Sequence, residues 1–140
     1  MKISARNILA GKVDKVVKGA VNAEIDLTLE GGETVVAIIT NVSADALGLK
    51  AGTTAYAIIK ASEVIVGKDV QAGKLSARNV LDGVVESVED GSVNSEVIIR
   101  LPGGSLIAAS ITKASVHALD LKGGDKVSAI IKASNVIVGV

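Results

Sequence analysis

The sequence of 140 residues contains no Cys, Phe or Trp, and it has one Tyr, one Pro and one His. Without cysteine there is no disulfide framework, no thiolate metal site and no cysteine nucleophile, and nothing indicates an oxidising compartment. Binding of single-stranded nucleic acid usually needs aromatic stacking platforms and positive charge. With 15 basic and 15 acidic side chains and almost no aromatic rings, the sequence predicts a cytoplasmic protein without a nucleic-acid partner.

Long apolar runs are also missing, although 49% of the residues are hydrophobic. The longest runs, such as Val35 to Ile39 and Ala55 to Ile59, are far shorter than the roughly 18 residues that a membrane span requires. The segment Met1 to Arg6 is not followed by an apolar stretch of signal-peptide length. We therefore expect a soluble protein with no membrane partner.

The dominant feature of the sequence is an internal repeat. When the chain is displaced by 72 positions, Ser4 to Asn7 superposes on Ser76 to Asn79, and Ala57 to Ser62 superposes on Ala129 to Ser134. About 34 of the 64 positions from Ser4 to Gly67 are identical to their counterparts. We predict a first domain over residues 1–68, a polar, glycine-containing linker over 69–74, and a second domain over 75–140.

A unit of about 70 residues without large aromatic side chains has a marginal core, because it buries only roughly 60% of its unfolded surface. Packing against further copies is the expected remedy. The high apolar content, in a chain without a membrane segment, also favours apolar surface buried between subunits.

The periodicity within each repeat is that of β-strands. Apolar residues alternate with polar ones from Val21 to Leu29, and paired glycines at Gly31-Gly32 predict a hairpin turn into a strand from Thr34 to Thr40. Further strands are expected around Ile8 to Val17, Thr54 to Lys60 and Glu63 to Val66. Ser43 is expected to cap a short helix through Leu47 that stops at Gly48, and in the second copy Asp120 takes the stop position. The predicted fold class is all-β: two tandem OB-like, five-stranded antiparallel β-barrels, each with one short helix.

The sequence contains few residues that could form a catalytic site. The only histidine, His117, is replaced by Asp45 in the first copy, so we interpret it as a side chain on a helix surface rather than part of a Ser-His-Asp triad. Glu24 with Asp26, and Glu89-Asp90, recur poorly and are interpreted as solvated strand faces and turns rather than metal ligands. We predict no enzyme activity and no metal-cation site.

What recurs between the copies is a set of hydrogen-bond donors. Arg6 and Arg78 occupy the same repeat position; they can bind an oxyanion or pair with a carboxylate such as a Glu24-type residue, and the sequence favours neither. Lys60-Ala61-Ser62 ends a strand with a charge and a hydroxyl, or marks a barrel rim. Thr40 with Ser43 flanks the short helix, and helix capping is the simpler explanation. The turn Gly19-Ala20-Val21-Asn22 is either a backbone nest or a hairpin corner.

Taken together, these residues are donors without acceptors, which suits a compact and fully ionised tetrahedral oxyanion. Charge balance inside each repeat, with eight residues of either sign in 1–70 and seven in 71–140, means that affinity must come from local donors rather than a long-range field. Charge-assisted hydrogen bonds contribute about 1.5–3 kcal/mol each, so several are needed to offset dehydration of a dianion. A site between copies or subunits follows as a hypothesis.

The motifs Ser4-Ala5-Arg6-Asn7, Gly19 to Glu24, Gly31-Gly32, Thr40 and Ile59 to Ser62, repeated in the second copy, resemble the molybdate-binding Mop domain of the molbindins. The resemblance covers essentially the whole chain. It implies an OB-like (TOBE-type) barrel, assembly as a homotrimer, and a cytoplasmic protein that stores or buffers molybdate. Molybdate or tungstate would be the bound ligand, with no organic cofactor, and sulfate would bind less well because its shorter bonds leave donors out of reach.

The resemblance also implies site residues. The main sites lie at interfaces between domains and would use Ser4, Ala5, Arg6, Lys60, Ala61 and Ser62 with a Thr40 and Ser43 pair from a neighbouring domain, and in the second copy Ser76, Ala77, Arg78, Lys132, Ala133, Ser134, Thr112 and Ser115. A second kind of site near the threefold axis would draw on the turns Gly19, Ala20, Val21, Asn22 and Gly91, Ser92, Val93, Asn94.

Two other functions stay open on the sequence alone. The chain could be a molybdate-sensing regulatory module that acts through a partner protein, because similar paired domains occur attached to DNA-binding domains. It could also be a purely structural trimeric module. The sequence leaves open whether strands are exchanged between the two barrels.

Overall fold

The computed structural model describes all residues from Met1 to Val140. The first repeat forms the strands and helix β1 (Asn7–Lys18), β2 (Asn22–Leu29), β3 (Thr34–Thr40), α1 (Asn41–Ala46), β4 (Thr54–Ile59) and β5 (Ile65–Gly67). The second repeat forms β6 (Asn79–Asp90), β7 (Asn94–Arg100), β8 (Leu106–Thr112), α2 (Lys113–Ala118), β9 (Lys126–Ile131) and β10 (Ile137–Gly139). A short 3-10 turn precedes the last strand of each repeat, at Ala61–Glu63 and Ala133–Asn135. The helices, of six residues each, are too short to cross a bilayer.

The strands form two antiparallel five-stranded sheets, as expected for two OB-like barrels. Their orders are β10-β4-β1-β2-β3 and β5-β9-β6-β7-β8. The last strand of each repeat therefore lies in the sheet of the other repeat: Ile137 pairs with Ile58, and Ile65 pairs with Ile130. The barrels exchange their final strands, so each barrel is built from both repeats, and the limits 1–68 and 75–140 remain a prediction about the repeats as units of sequence.

The core follows the predicted alternation. In β2 the side chains of Ala23, Ile25, Leu27 and Leu29 are buried, and the same face of every long strand contributes to one cluster of 28 buried aliphatic residues. Val21 departs from this pattern. It lies in the turn before β2 and is 70% exposed, because the chain has already left the pleated ladder there.

The hairpin tips of the two repeats contact each other. Gly31-Gly32 turns β2 into β3 as predicted, with Gly32 at φ +96°. The backbone of Gly31 lies directly against that of Gly103, which holds the same position in the second repeat, and the Glu33 carboxylate accepts a hydrogen bond from the Gly103 N–H at 2.8 Å. A third contact of this kind joins the two 3-10 turns, where Asn135 Nδ2 donates to Glu63 Oε2 at 2.9 Å. These contacts mark a local twofold relation between the repeats.

The helix cap differs from the prediction. The N-cap of α1 is Thr40, whose hydroxyl oxygen accepts a hydrogen bond from the Ser43 N–H at 3.1 Å, so Ser43 lies inside the first turn rather than before it. Thr112 caps α2 in the same way through the Ser115 N–H. The predicted stop positions are correct, since Gly48 and Asp120 both adopt left-handed conformations, with φ of +63° and +47°.

Candidate functional site

The segment that leads into each barrel is held against the opposite barrel. Asn7 Nδ2 donates to the carbonyl of Ala108 at 2.9 Å, and Asn7 Oδ1 accepts from the N–H of the same residue at 2.7 Å. Asn79 makes the corresponding pair of bonds to Val36, at 2.8 and 2.7 Å. Both asparagines are almost completely buried, so their amides extend the backbone ladder of the other barrel. Asn7 and Asn79 end the two identical Ser-Ala-Arg-Asn segments, and that identity is the only sign of this role in the sequence.

The arginines of the same segments pair with glutamates across the repeats. Arg6 Nη1 and Nη2 donate to the two oxygens of Glu96 at 2.5 and 2.7 Å. Arg78 Nη1 donates to Glu24 Oε1 at 2.8 Å. Of the two alternatives, the structure thus realises a carboxylate pair with a Glu24-type residue, taken from the opposite repeat. The hydrogen bond to the carboxylate raises the pKa of each arginine further above its ordinary value.

Two clefts collect most of the predicted donors. The first cleft, of about 680 Å³, is lined by Ser4, Ala5, Arg6, Lys60, Ala61 and Ser62, with apolar walls from Met1, Ile3, Ile58 and Ile137. The second cleft, of about 380 Å³, is lined by Ser76, Ala77, Arg78, Lys132, Ala133 and Ser134, with Ile38, Ile65, Leu75 and Ile130. The polar residues of the two linings correspond one to one under the repeat.

The strand ends explain why these donors converge. The start of β1 pairs with the end of β4, with Asn7 opposite Ile59, so the residues just outside this pair, Arg6 and Lys60, are neighbours on one edge. The 3-10 turn that follows carries Ser62 back toward the same edge. The final strand exchanged from the other repeat supplies Ile137 as the apolar wall.

The charge of the clefts is carried by lysine. The ion pairs of the chain involve both cleft arginines but neither Lys60 nor Lys132. Both lysines are exposed, as are the hydroxyl-bearing residues beside them. Each cleft therefore offers an uncompensated cation and hydroxyl donors within one solvent-open depression, an arrangement that suits an anion.

The Thr/Ser pairs lie elsewhere on the same chain. Neither cleft is lined by Thr40 or Ser43. Ser43 instead lines a separate depression of about 380 Å³ that also contains Ser134. The Thr40 hydroxyl donates to Ser43 Oγ at 2.9 Å, and the hydroxyls of Thr112 and Ser115 lie 2.8 Å apart. These hydroxyls serve helix capping within the chain, and their residues are exposed to solvent except for Ser115, which is partly exposed.

The turns before β2 and β7 are hairpin corners. The Gly19 N–H donates to the Asn22 carbonyl at 2.7 Å, and the Gly91 N–H donates to the Asn94 carbonyl at 2.8 Å. Neither turn contains a left-handed residue, so neither forms the alternating right- and left-handed arrangement of an anion-binding nest. Val21 and Val93 at their tips are exposed.

The acidic side chains and the single histidine lie outside the linings of the two clefts. No group of three or more His, Cys, Asp and Glu side chains is placed to hold a metal ion. His117 lies on the exposed face of α2. Glu24 and Asp26, interpreted from the sequence as a solvated strand face, are instead only partly exposed, and one carboxylate oxygen of Asp26 is buried without a hydrogen-bond partner.

Comparison with known proteins identifies the repeat. The profile of the TOBE domain matches residues 3–66 and 75–138. Over 140 residues the chain is 42% identical to molybdenum-pterin-binding protein MopA of Rhodobacter capsulatus and 40% identical to molybdenum transport protein ModE of Herbaspirillum seropedicae. All of the chain is matched, but it covers only 53% and 52% of those proteins, so it spans about half the length of these curated relatives.

A solved structure matches the chain over its whole length. It is described as the cytoplasmic molybdate-binding protein ModG with molybdate bound, and it superposes with a TM-score of 0.96 at 48% identity, covering 100% of this chain and 99% of that one. The repeat found in the sequence, the paired barrels and the two profile matches agree. The chain belongs to the TOBE-domain family and carries two such domains in tandem.

Proposed function

We propose that the chain binds molybdate, and tungstate as its near equal in size and charge, and serves in the cytoplasm as a store of the oxyanion rather than as an enzyme. The observation that carries this proposal is the convergence of Ser4, Lys60 and Ser62, beside the Glu96-paired Arg6, on one cleft, repeated by their counterparts in the second. A dianion with four acceptor oxygens needs several donors at once, since each charge-assisted bond contributes about 1.5–3 kcal/mol against a large dehydration cost.

The kinship of the chain supports molybdate as the specific ligand. Its similarity to a protein described as molybdate-bound extends over essentially the whole of both chains. The tetrahedral shape alone does not separate molybdate from sulfate, so the preference must come from cleft dimensions and donor spacing.

The sites are completed, in this proposal, by other copies of the chain in a homotrimer. The clefts are bordered by exposed apolar side chains, including Ile3, Ile65, Leu75 and Ile137, which are 44–58% exposed. Exposed aliphatic groups beside an open anion cleft favour burial against another subunit. The outward-facing pairs Thr40–Ser43 and Thr112–Ser115 are then available to a neighbour's cleft, and the turns at residues 19–22 and 91–94 to a second kind of site near the threefold axis.

Equilibrium dialysis of the purified chain against molybdate, tungstate, sulfate and phosphate tests the proposal. We expect uptake of molybdate and tungstate at micromolar concentration, with sulfate weaker. The double variant Lys60→Ala/Lys132→Ala should lose at least about tenfold in molybdate affinity, because one charge-assisted bond is removed from each cleft. The matched control is Lys50→Ala/Lys122→Ala, which removes two exposed lysines at another repeat position and should bind as the parent does. Equal loss in both double variants, or no uptake by the parent, would contradict the proposal.

A regulatory module acting through a partner protein is the second candidate. It is favoured by the match to proteins named ModE, of which the chain covers about half. Molybdate-dependent retention of a DNA-binding protein by the immobilised chain would support this role, whereas uptake without such retention supports storage.

A further inference from the structure

The arginine of each cleft is bound to a glutamate of the opposite repeat. Glu96 takes both terminal nitrogens of Arg6, and Glu24 takes one terminal nitrogen of Arg78. The terminal face of a guanidinium is the face that binds oxyanions in a bidentate manner. An anion in the first cleft therefore meets an arginine whose best donors are already in use and whose charge is compensated in direct contact.

The position of the donor segment does not depend on this ion pair. Asn7, the residue after Arg6, fixes the same segment, because its buried amide makes two hydrogen bonds to Ala108. Loss of the glutamate charge should consequently leave Ser4 and the backbone in place while it releases the guanidinium. The two functions of the segment, placement and charge, rest on different residues.

We propose that Glu96 and Glu24 determine the oxyanion specificity of the clefts. Each glutamate neutralises the arginine of one cleft, so the lysine is the only uncompensated positive charge in that cleft. The inference rests on the proposed function. An uncompensated arginine attracts any dianion through a Coulomb interaction that depends little on ligand size. With the arginine compensated, binding depends on short-range hydrogen bonds, which are sensitive to where the oxygens lie. The glutamates thus lower the affinity of the clefts for all oxyanions, but they preserve the difference in affinity between one oxyanion and another.

The sharpest variant is Glu96→Gln in the full chain, because Glu96 binds both terminal nitrogens of Arg6, whereas Glu24 binds only one of Arg78. Glu89, opposite Glu96 in the β6–β7 ladder, then remains as the nearest second carboxylate. Only the first cleft should change, so the second acts as an internal reference. Sulfate and molybdate affinities are measured by calorimetry at low and at high ionic strength, with thermal unfolding as the check on folding.

We expect Glu96→Gln to bind sulfate about tenfold more tightly in half of the clefts at low salt, to reduce the molybdate-to-sulfate affinity ratio, and to lose most of this gain at high salt. Glu96→Asp keeps the charge and should stay close to the parent. Glu86→Gln removes the exposed pair between Glu86 and Arg100, outside both clefts, and should leave both affinities unchanged.

Unchanged or weaker sulfate binding in Glu96→Gln overturns the inference, and so does equal behaviour of Glu96→Gln and Glu96→Asp, which would indicate a steric role. A parent chain that binds molybdate while Glu96→Gln keeps the parent's affinity ratio overturns this inference alone. A parent that takes up no oxyanion overturns the proposed function and this inference together.

Discussion

At the scale of single residues, the repeats differ most clearly at one strand position. Asp26 in β2 corresponds to Ile98 in β7. Burial, followed by the neighbouring Glu24 carboxylate, raises the pKa of Asp26, and the only cation in ion-pair contact with this carboxylate is Lys15, at 3.6 Å. The pKa of Glu24 is lowered, first by the hydrogen bond from Arg78. The ionised carboxylate of Asp26 in the first repeat therefore lowers the free energy of unfolding.

The substitution Asp26→Ile should stabilise the chain by about 1–3 kcal/mol at neutral pH, the usual cost of a buried polar atom without a partner. The gain depends on pH. An acid with a raised folded-state pKa destabilises the fold when ionised, so the penalty is full above that pKa and disappears below the unfolded value near 3.8. Chemical denaturation at a series of pH values measures the difference.

The reverse substitution, Ile98→Asp, is the matched control and should destabilise the chain. Position 87, opposite Ile98, is a serine rather than a lysine, so the new carboxylate has no cation. A gain from Asp26→Ile that is as large at pH 3.5 as at pH 7 would argue against an electrostatic origin.

The sequence predicted the residues of the clefts better than their partners. Identity between the copies singled out Ser4, Arg6, Lys60 and Ser62, and all four line one cleft. The partner of Arg6 could not be chosen from the sequence, because Glu24 and Glu96 are the same residue at the same repeat position. Only the three-dimensional arrangement distinguishes a pair within a repeat from a pair across repeats.

At the scale of elements, the two hairpin tips contact each other backbone to backbone. A Cβ added at Gly103 would lie 2.5 Å from the Gly31 Cα and still closer to the Gly31 carbonyl oxygen. Backbone, rather than a flexible side chain, occupies the space, so relief requires one hairpin to move. Glycine is needed here for close approach and not for an unusual φ, since neither Gly31 nor Gly103 has a positive φ.

The substitution Gly103→Ala should therefore destabilise the chain by about 1–3 kcal/mol, as overpacking of a close contact does. Gly123→Ala is the control, because its added Cβ would meet only the Glu86 carbonyl at 3.6 Å. Urea denaturation compares the two variants. Equal stability would show that the hairpin tips separate easily and do not hold the barrels together.

Strands with alternating buried and exposed residues could be predicted from the sequence. The ends of elements where polar side chains bond to the nearby backbone were harder to predict. The strands β2 and β3 and the turn between them follow directly from period-two hydrophobicity and the glycine pair. The cap of α1 was misplaced by three residues, because Thr40 is at once the last residue of β3 and the N-cap of the helix. A sequence pattern cannot assign one residue to both roles.

At the scale of the whole molecule, the exchange of final strands determines how the halves are joined. The strand β5 continues the sheet of the second repeat, and β10 continues the sheet of the first. The sequence could not predict this, because Ala57 to Ser62 and Ala129 to Ser134 are identical and offer the same pairing edge to either strand. The choice depends on the path of the linker.

Because of this exchange, the covalent link between the repeats should be dispensable once the chain has folded. A protease site inserted between Ala72 and Gly73, in an exposed part of the linker, should allow complete cleavage without separation. We expect the two fragments to co-elute in native size-exclusion chromatography and to part only in denaturant. Separation of the fragments in native buffer would contradict the exchanged arrangement as the main link between the halves.

The contact between Glu63 and Asn135 has a consequence for the history of the chain. The two residues hold the same repeat position and face each other across the local twofold relation. In a symmetric pair of identical single repeats, each residue at such a position meets its own copy, so a glutamate would oppose a glutamate. Once two repeats are joined in one gene, the facing positions can mutate independently, and like-charge repulsion can be replaced by a donor and an acceptor. Covalent fusion thus makes available amino-acid combinations that a symmetric dimer of single repeats can never encode.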